Sequence, residues 1–465
     1  MSKEIQADYL IVGAGAMGMA FTDTLLAETD ATVAIVDRYH QPGGHWTIAY
    51  PHVRLHQPSA FYGVNSTHLG SDRIDTAGWN EGLYELATNS EVVTYFDKVM
   101  QHSFLPSGRV QYFPNCEYTG DGKFHSTISG VEYSASATKV VDATYMHVTV
   151  PAMRPPAYAV STEAICVPPN ELPRLARQYE DYVVVGAGKT GMDACLFLLR
   201  NEVDPDRIRW IMPRDSWMLD RANIQPKALF AESIGRSFQL QIQSLAEAES
   251  IEDAFARVEQ SGGLIRLDPT ITPTMYRCAT VTQAELVALR RIKQVIRKGR
   301  VTAIEADTIR LDGGEEPTNS QTLHIDCTAD GLERRPAVPV FNGNAITLQS
   351  VRTCQQVFSA AFIAHVEAAY EGDEVKNELC APVPHPDTDV DFLRTNLGNS
   401  LNGARWSEEP ELQAWLKQAR LDGFTDADAP NPDPSDPEVA ANMQQMGAAM
   451  KAAVENLRRL LGETS

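Results

Sequence analysis

The chain contains 465 residues, of which 43% are hydrophobic and 22% are charged, and it carries a formal net charge of −21 at pH 7. This length is enough for two or three domains, and the acidic balance argues against nucleic-acid binding, which needs a basic face. No apolar run reaches the roughly 18 residues of a membrane span, and we expect a cytoplasmic protein because the first predicted strand leaves no room for a signal peptide.

The seven cysteines are odd in number, widely scattered and never arranged as CxxC. This pattern is typical of small buried residues in a reducing compartment and not of a disulfide framework. It also argues against the disulfide reductases that use a close redox pair of cysteines. We therefore expect free thiols.

Residues 7–37 have the pattern of a strand, a glycine turn, a helix and a second strand. The apolar run at 9–12 predicts a buried strand, and Gly13, Gly15 and Gly18 follow it. In a dinucleotide-binding turn the first glycine makes the bend and the second lets the backbone approach a pyrophosphate. The third packs the helix on the strand, and the helix N-terminus faces the phosphates. The pattern predicts a first dinucleotide site.

Asp37 ends the second strand of this unit, where a carboxylate accepts hydrogen bonds from ribose hydroxyls and repels a 2′-phosphate. It therefore favours FAD or NAD over NADP. Glycines then recur at 43 and 44, before His45 and Trp46, and their backbone would lie against the middle of the cofactor. The predicted contacts of this first cofactor are Gly13, Gly15, Gly18, Asp37, Arg38, Gly44 and Trp46.

Four histidines, at positions 40, 45, 52 and 56, lie in a loop-rich stretch that extends to about residue 80. No cysteine or carboxylate completes a ligand set with them, so we predict no metal site. The remaining alternatives are that these side chains line a flavin pocket or that they make ordinary loop contacts.

A second unit of the same kind follows a proline-rich crossover at 150–173. Between the two units, the pattern at 92–142 predicts a small antiparallel or mixed insert, closed by a strand at 139–143. The second unit spans 181–212 and carries Gly186-Ala187-Gly188-Lys189-Thr190-Gly191 after the apolar run 182–185. Its predicted cofactor contacts are Gly186, Gly188, Thr190, Gly191 and Arg214.

Arg214 follows the second strand of this unit, where a carboxylate would otherwise stand. A guanidinium binds a 2′-phosphate through two hydrogen bonds, so this position favours NADPH over NADH. Arg221 is a weaker candidate for the same role. The alternative is that Arg214 simply pairs with Asp215 or another neighbour.

Helical patterns at 228–260 and 282–298 predict an insert and a further helix, and 301–311 predicts a strand before a hairpin turn. A strand at 323–327 ends at Thr328-Ala329-Asp330-Gly331 and returns the chain to the first domain. Val439, Met443 and Met446 begin a spacing of four and three that predicts a terminal amphipathic helix. We favour docking of this helix on its own chain, and a homodimer seam is the alternative.

The predicted fold class is α/β, with two Rossmann-like dinucleotide-binding domains, the NADP domain inserted into the FAD domain, a helical insert and a C-terminal helix. The predicted parts are a first FAD-binding segment (1–150), the NAD(P)-binding domain with its insert (151–323), the returning FAD-binding segment (324–424), and an acidic proline-rich linker with the terminal helix (425–465).

With the GGHW sequence after Asp37, the chain resembles class B flavin monooxygenases, the flavin-containing and Baeyer–Villiger enzymes. The resemblance covers 5–50, 180–215 and, more loosely, 320–370. It implies that Asp330 and Gln349 contact FAD and that residues 349–367 form the helix approaching the isoalloxazine ring. The family fingerprint FxGxxxHxxx(W/Y/F) is missing, since 157–181 contains no histidine, and the usual ATG strand end is Ala143-Thr144-Tyr145. The resemblance is therefore to a divergent member of this family.

The resemblance implies that NADPH reduces FAD, that reduced FAD combines with molecular oxygen as a C4a-peroxide, and that one oxygen passes to a small organic substrate. Predicted catalytic residues are Arg54, His56, Gln57 and Asn65. Further predicted pocket residues are His52, Tyr62, Gln349 and Arg352. The alternatives are a reductase or oxidase without oxygen insertion, and a non-catalytic nucleotide-binding protein.

Overall fold

The computed structural model describes residues 2–226, 228–329, 331–424 and 435–463. Its strands are β1 (Lys3–Val12), β2 (Val33–Val36), β3 (Val110–Phe113), β4 (Cys116–Gly120), β5 (Lys123–Ser126), β6 (Glu132–Asp142), β7 (Ala159–Val160), β8 (Ile165–Val167), β9 (Asp181–Val185), β10 (Ile208–Ile211), β11 (Ser216–Asp220), β12 (Met275–Val281), β13 (Gln294–Ile296), β14 (Val301–Ile304), β15 (Thr308–Leu311), β16 (Gly314–Pro317), β17 (Thr322–Asp326), β18 (Phe341–Asn342) and β19 (Ala345–Thr347). Its α-helices are α1 (Ala16–Glu28), α2 (Asn89–Val99), α3 (Leu172–Leu175), α4 (Lys189–Arg200), α5 (Ala231–Glu247), α6 (Ile251–Gln260), α7 (Gln283–Leu289), α8 (Gln356–Ala369), α9 (Asp373–Leu379), α10 (Asp391–Ser407), α11 (Pro410–Gln418) and α12 (Pro437–Leu461).

The first sheet has the order β18-β19-β6-β1-β2-β3, and β1 is paired in parallel with both β2 and β6. The apolar run of β2 is buried throughout, which is typical of a parallel strand covered on both faces. The antiparallel hairpin β4–β5 pairs through β5 with the first three residues of β6, 132–134. Helices α1 and α8 pack against each other, and both are largely buried.

The second sheet has the order β13-β10-β9-β17-β8, and all of its neighbouring strands are parallel. The unit β9–α4–β10 repeats the connection β1–α1–β2 of the first sheet. All strands of the second sheet come from residues 165–326, between the two sets of strands that build the first sheet. The mixed α/β class with parallel sheets is therefore confirmed.

Two sequence predictions about individual elements are wrong, and a third is incomplete. The strand predicted at 323–327 is β17, which pairs with β9 and β8 of the second sheet, so it does not return the chain to the first. The return is made by β19, which pairs with β6. The helix predicted at 282–298 ends at Leu289, and 294–296 form β13 beside β10. The stretch 92–142 contains helix α2 and the parallel strand β3 besides the predicted antiparallel hairpin.

The helical insert α5–α6 forms a core with α10 and the second half of α12. Ala453 and Leu457 are buried in it, and the side-chain amide of Asn456 donates to the carbonyls of Leu245 (2.8 Å) and Ala248 (2.9 Å). Docking of the terminal helix on its own chain is confirmed. Most of the predicted linker, 425–437, lies outside the described residues, which resume at residue 435. None of the helices within the described parts of the chain is long and apolar enough to cross a membrane.

Cys278 and Cys354 form a disulfide with a Cα–Cα distance of 6.5 Å, which corrects the expectation that all thiols are free. The bridge joins β12 to the segment before α8. These two residues are 76 positions apart, so only the folded chain brings them together. The other five cysteines are free, and all but one of them are buried.

Candidate functional site

The first glycine turn has the geometry that its sequence requires. Gly13 has a φ of +104°, which a residue with a side chain rarely adopts. A Cβ atom on Gly18 would overlap the carbonyl oxygen of Gly13 and lie 3.2 Å from the Cβ of Ala143. Helix α1 then begins after Gly15 with no side-chain cap and no acidic residue in its first turn. Its unpaired N–H groups and positive dipole end are therefore available to an anion.

The GGHW segment lies directly on this turn. The amide of Gly43 donates to the carbonyl of Ala14 (2.9 Å), and a Cβ on Gly44 would lie 3.0 Å from the Cα of Gly15. Trp46 is buried, and its indole N–H donates to the hydroxyl of Tyr62 (2.7 Å). Only glycine permits this close approach of two backbone segments. Tyr62 therefore supports Trp46, which gives this predicted pocket residue a structural contact.

Asp37 stands at the end of β2 beside the turn, as predicted. Its carboxylate accepts hydrogen bonds from the amides of Ala14 (2.5 Å) and Tyr39 (2.7 Å). Burial raises the pKa of this carboxyl, although both amides act in the opposite direction. The guanidinium of Arg38 stacks on the ring of Tyr39 at 5.2 Å. The carboxylate is thus fixed in place at the predicted ribose end of the site.

The second turn has the same backbone and a different surrounding. Gly186 has a φ of +126°, and a Cβ there would lie 2.7 Å from the carbonyl oxygen of Cys327. A Cβ on Gly191 would overlap the carbonyl oxygen of Gly186, which also accepts a hydrogen bond from the Trp210 indole (2.8 Å). Gly188 faces open space, with no heavy atom of the described residues within 4 Å of a Cβ placed there. Helix α4 begins after it without a side-chain cap.

Arg214 lies at the carboxyl end of β10, next to the second turn. Its guanidinium forms two hydrogen bonds with Asp387, of 3.1 and 2.9 Å, and not with Asp215. Asp215 is instead held by Arg297 through bonds of 2.8 and 2.9 Å. Arg214 and its partner are 173 positions apart in sequence. A negatively charged group therefore already occupies the fork of the arginine predicted to bind a 2′-phosphate.

Residues 48–56 connect the two turns. The carbonyl of Ile48 accepts a hydrogen bond from Asn170 (2.9 Å). The hydroxyl of Tyr50 donates to Asp193 of α4 (2.8 Å), and Asp193 also pairs with Lys189 one turn earlier. The segment that starts on the first turn therefore ends against the helix of the second.

A cleft open to solvent lies between residues 51–55 and helix α4, and its empty space, open solvent included, is about 850 Å³. Its lining residues are Pro51, His52, Val53, Arg54, Leu55, Trp79, Leu86, Thr88, Lys189, Asp193, Leu196, Phe197, Arg200, Arg221 and Glu285. Sequence reasoning missed the wall contributed by α4. Its members at 189, 193, 196, 197 and 200 follow helical spacing, a signal that could have shown a common face.

The structure brings His52 and Arg54 of the predicted pocket residues into this cleft. The rings of His52 and Phe197 are 4.1 Å apart, and burial lowers the pKa of His52 to about 4. His56 follows them in the chain; burial lowers its pKa to about 3, and its carbonyl accepts a hydrogen bond from Arg221 (2.9 Å). Gln57 is half-buried and does not line the cleft.

Other predicted residues have structural partners away from the cleft. Asn65 accepts a hydrogen bond from the amide of Leu421 (3.1 Å) and donates one to Thr24 (3.3 Å), and it does not line the cleft. The amide group of Gln349 donates to the carbonyl of Val338 (2.7 Å), so this residue fixes a loop. It also precedes α8, which begins seven residues later than predicted.

Two predicted charged residues are likewise used inside the protein. Arg352 pairs with Asp422 (2.7 Å), and its guanidinium lies over the ring of Phe358. Arg221, the weaker candidate for a 2′-phosphate, is buried and pairs with Glu285 (2.9 Å). Asp330 lies outside the described residues. The described part of the chain holds no group of three or more side chains suited to a metal ion.

Comparison with known proteins gives close relatives in mycobacteria. The Mycobacterium tuberculosis (strain H37Rv) protein named "Uncharacterized protein Rv2000" is 56% identical over 426 residues, which cover 91% of this chain and 79% of the relative. "Uncharacterized protein Mb2023" of Mycobacterium bovis matches over the same shares with the same identity. The chain belongs to the family of these mycobacterial proteins. No family model matches the sequence.

Two further comparisons bear on the fold and on one segment. The solved structure titled "Oxidized steroid monooxygenase bound to NADP" matches with a TM-score of 0.50 and 14% identity, over 78% of this chain and 85% of that one. At this identity the match shows a common fold. A ferredoxin–NADP reductase of Salinispora arenicola is 29% identical over 92 residues, which are 20% of this chain and 28% of that protein.

Proposed function

We propose that this protein is an FAD-dependent oxidoreductase that uses NADPH, with FAD at the first glycine turn and NADPH at the second. The observation that carries the proposal is the pair of uncapped helix N-termini, each behind a glycine turn at the carboxyl end of a parallel strand. They are joined by one segment, which places Gly44 on Gly15 and Tyr50 on Asp193. Each helix end suits a pyrophosphate.

The residues at the two turns fit the two dinucleotides differently. Asp37 suits ribose hydroxyls at the first turn, where a 2′-phosphate would meet a fixed carboxylate. Arg214 suits a 2′-phosphate at the second, once that phosphate replaces Asp387 as its partner. The open space before Gly188 suits the close approach of a pyrophosphate to the backbone. These fits support FAD at the first glycine turn and NADPH at the second.

We further propose that the reaction is the monooxygenation of a small organic substrate in the cleft between residues 51–55 and α4. FAD, when bound, would supply the redox chemistry with NADPH and oxygen. The protein would position the reactants and keep water from them. Neutral His52 offers one N–H donor and one acceptor there, and Tyr50, Lys189 and Asp193 hold each other fixed at the second helix.

A second candidate function is a flavin reductase or oxidase that inserts no oxygen into a substrate. The missing histidine fingerprint at 157–181 favours it. The short match to a protein named ferredoxin–NADP reductase is in line with it as well.

Absorbance separates these functions. The purified protein is loaded with FAD, reduced with NADPH under anaerobic conditions and then mixed with oxygenated buffer. Bleaching of the flavin bands by NADPH, more rapidly than by NADH, is the expected first result; no bleaching with either nucleotide contradicts the proposal. A transient band before the oxidised spectrum returns supports monooxygenation. Direct return with release of hydrogen peroxide supports the second candidate.

A further inference from the structure

The cleft beside α4 is positively charged within an acidic protein. Four cationic residues line it, Arg54, Lys189, Arg200 and Arg221, against two carboxylates, Asp193 and Glu285. Lys189 pairs with Asp193, and Arg221 pairs with Glu285. Four cations less two carboxylates leave a surplus of two positive charges, in a chain whose net charge is −21.

The surplus belongs to Arg54 and Arg200. Neither of them forms an ion pair with a carboxylate within the described ranges of the chain. The backbone of Arg54 is held by a bridge to Thr88, which also lines the cleft. Arg200 lies with its guanidinium 4.9 Å from the centre of the Trp79 ring. The ring contact places the guanidinium of Arg200, the bridge places the backbone of Arg54, and neither contact neutralises a charge.

The remaining walls are apolar and aromatic. Trp79, Leu55, Leu86 and Leu196 line the cleft, together with Phe197. His52 stacks near Phe197, and both of its ring nitrogens are buried without a hydrogen-bond partner in the described residues. A buried imidazole that lacks both partners is costly unless a ligand provides them. The cleft thus offers apolar walls for the body of a ligand, two cations, and an imidazole whose nitrogens have no hydrogen-bond partner among the described residues.

We propose that this cleft binds a small organic acid with an aromatic or aliphatic body, whose carboxylate is held by Arg54 and Arg200. The acid is the substrate of the oxidoreductase described above, so the substrate role rests on the proposed function, whereas the binding itself does not. Arginine is suited to this role because its planar fork matches a carboxylate. The body of the acid packs against Trp79 and Phe197.

The test measures binding by calorimetry to the FAD-loaded protein without NADPH. Phenylacetate and octanoate are the probes, and phenylacetamide and octanamide are their neutral counterparts of nearly equal shape. We expect at least one acid to bind at least about tenfold more tightly than its amide. Its affinity should fall as salt rises from about 50 to about 500 mM. Equal affinity of acid and amide, or no binding of either acid, would overturn the proposal.

Three variants locate the site. Arg54→Gln and Arg200→Gln should each lower the affinity for the acid that binds by about tenfold and leave the affinity for its amide unchanged. Arg291→Gln removes the same charge from an exposed position outside the cleft, and it should change neither ligand. Loss of acid binding in Arg291→Gln would mean that the affinity depends on the net charge of the protein and not on this cleft, and it would overturn the assignment.

Competition distinguishes a carboxylate ligand from the phosphate of a nucleotide. If 2′,5′-ADP displaces the acid and also loses affinity in Arg200→Gln, the cleft holds the nucleotide phosphate and the proposal is wrong. If the acid stays bound and raises the rate of NADPH oxidation, the substrate role is supported. If the acid binds but does not change that rate while the flavin is still reduced by NADPH, the substrate role is wrong. An absence of flavin reduction together with acid binding contradicts the proposed function alone.

Discussion

The two glycine turns have nearly the same backbone and very different surroundings. The first is covered by Gly43 and Gly44, and its carboxylate, Asp37, is fixed by amides from the same part of the chain. The second is open at Gly188, and its arginine is held by Asp387, from a distant segment. With the nucleotides placed as proposed, the same local motif would present a pre-organised ribose end at one site and an exchangeable one at the other. What packs on a turn decides its selectivity as much as the turn itself.

The largest expected effect is on stability and concerns Gly191 of the second turn, which packs closely, in contrast to Gly188, which faces open space. Gly191→Ala places a Cβ on the carbonyl oxygen of Gly186, so the helix must move from the strand. We expect a loss of about 3 kcal/mol in the free energy of unfolding. Thermal and denaturant unfolding measure it.

Gly188→Ala is the matched control, because its Cβ meets no described atom within 4 Å. Stability should stay within about 0.5 kcal/mol, while NADPH binding weakens at least about tenfold because the methyl group enters the space for the pyrophosphate. FAD content should not change. A stable Gly191→Ala protein, or unchanged NADPH binding in Gly188→Ala, would remove the distinction between the two positions.

The next effect concerns Arg214 of the second site, whose partner Asp387 is proposed to be replaced by a 2′-phosphate. Arg214→Ala should weaken the binding of NADPH by about 10- to 100-fold, because charge-assisted hydrogen bonds contribute about 1.5–3 kcal/mol. NADH, which has no 2′-phosphate, should keep its affinity. Titration of both nucleotides into the FAD-loaded protein measures the ratio. An equal loss for both nucleotides would remove the assignment of Arg214.

A smaller effect of opposite sign is expected at its partner. Asp387 accepts both hydrogen bonds from Arg214, and this contact holds the pKa of its carboxyl below the usual range. In Asp387→Asn the competing negative charge is gone, so NADPH should bind a few-fold more tightly, about 1 kcal/mol or less. NADH serves again as the control. Weaker NADPH binding in this variant would mean that Asp387 positions Arg214 and does not compete for it.

The last effect concerns stability against pH and follows from the histidines between the two sites. Burial lowers the pKa of His45 and His52 to about 4 and that of His56 to about 3. An unfolded histidine titrates near about 6.5, so below that pH the unfolded chain binds more protons than the folded one. The contribution of these neutral histidines to the free energy of unfolding is therefore fully present above about pH 6.5 and is lost as the pH falls towards about 4. Melting temperatures at constant ionic strength should decline from pH 7 to pH 5, and His45→Asn should reduce the slope. A melting temperature independent of pH would contradict the buried, neutral state.

Local sequence determined the parts of this protein that depend on near neighbours. The apolar runs at 9–12 and 182–185, the glycines after them and the position of Asp37 predicted both turns, since strand, bend and helix start within a few residues. The spacing from Val439 onwards predicted the terminal helix for the same reason. The GGHW segment was placed at the first cofactor, and it does cover that turn.

Tertiary structure alone decided the rest. The edge strand of the second sheet, β13, lies in a stretch with helical spacing, because pairing with β10 outweighs local preference. The Arg214–Asp387 pair, the Cys278–Cys354 bridge and the cleft wall on α4 join residues far apart in sequence. Asn65 and Arg352 are polar residues whose partners, Leu421 and Asp422, are likewise distant in sequence. A sequence shows that such a side chain needs a partner when it is buried, but only the packed chain determines which partner it finds.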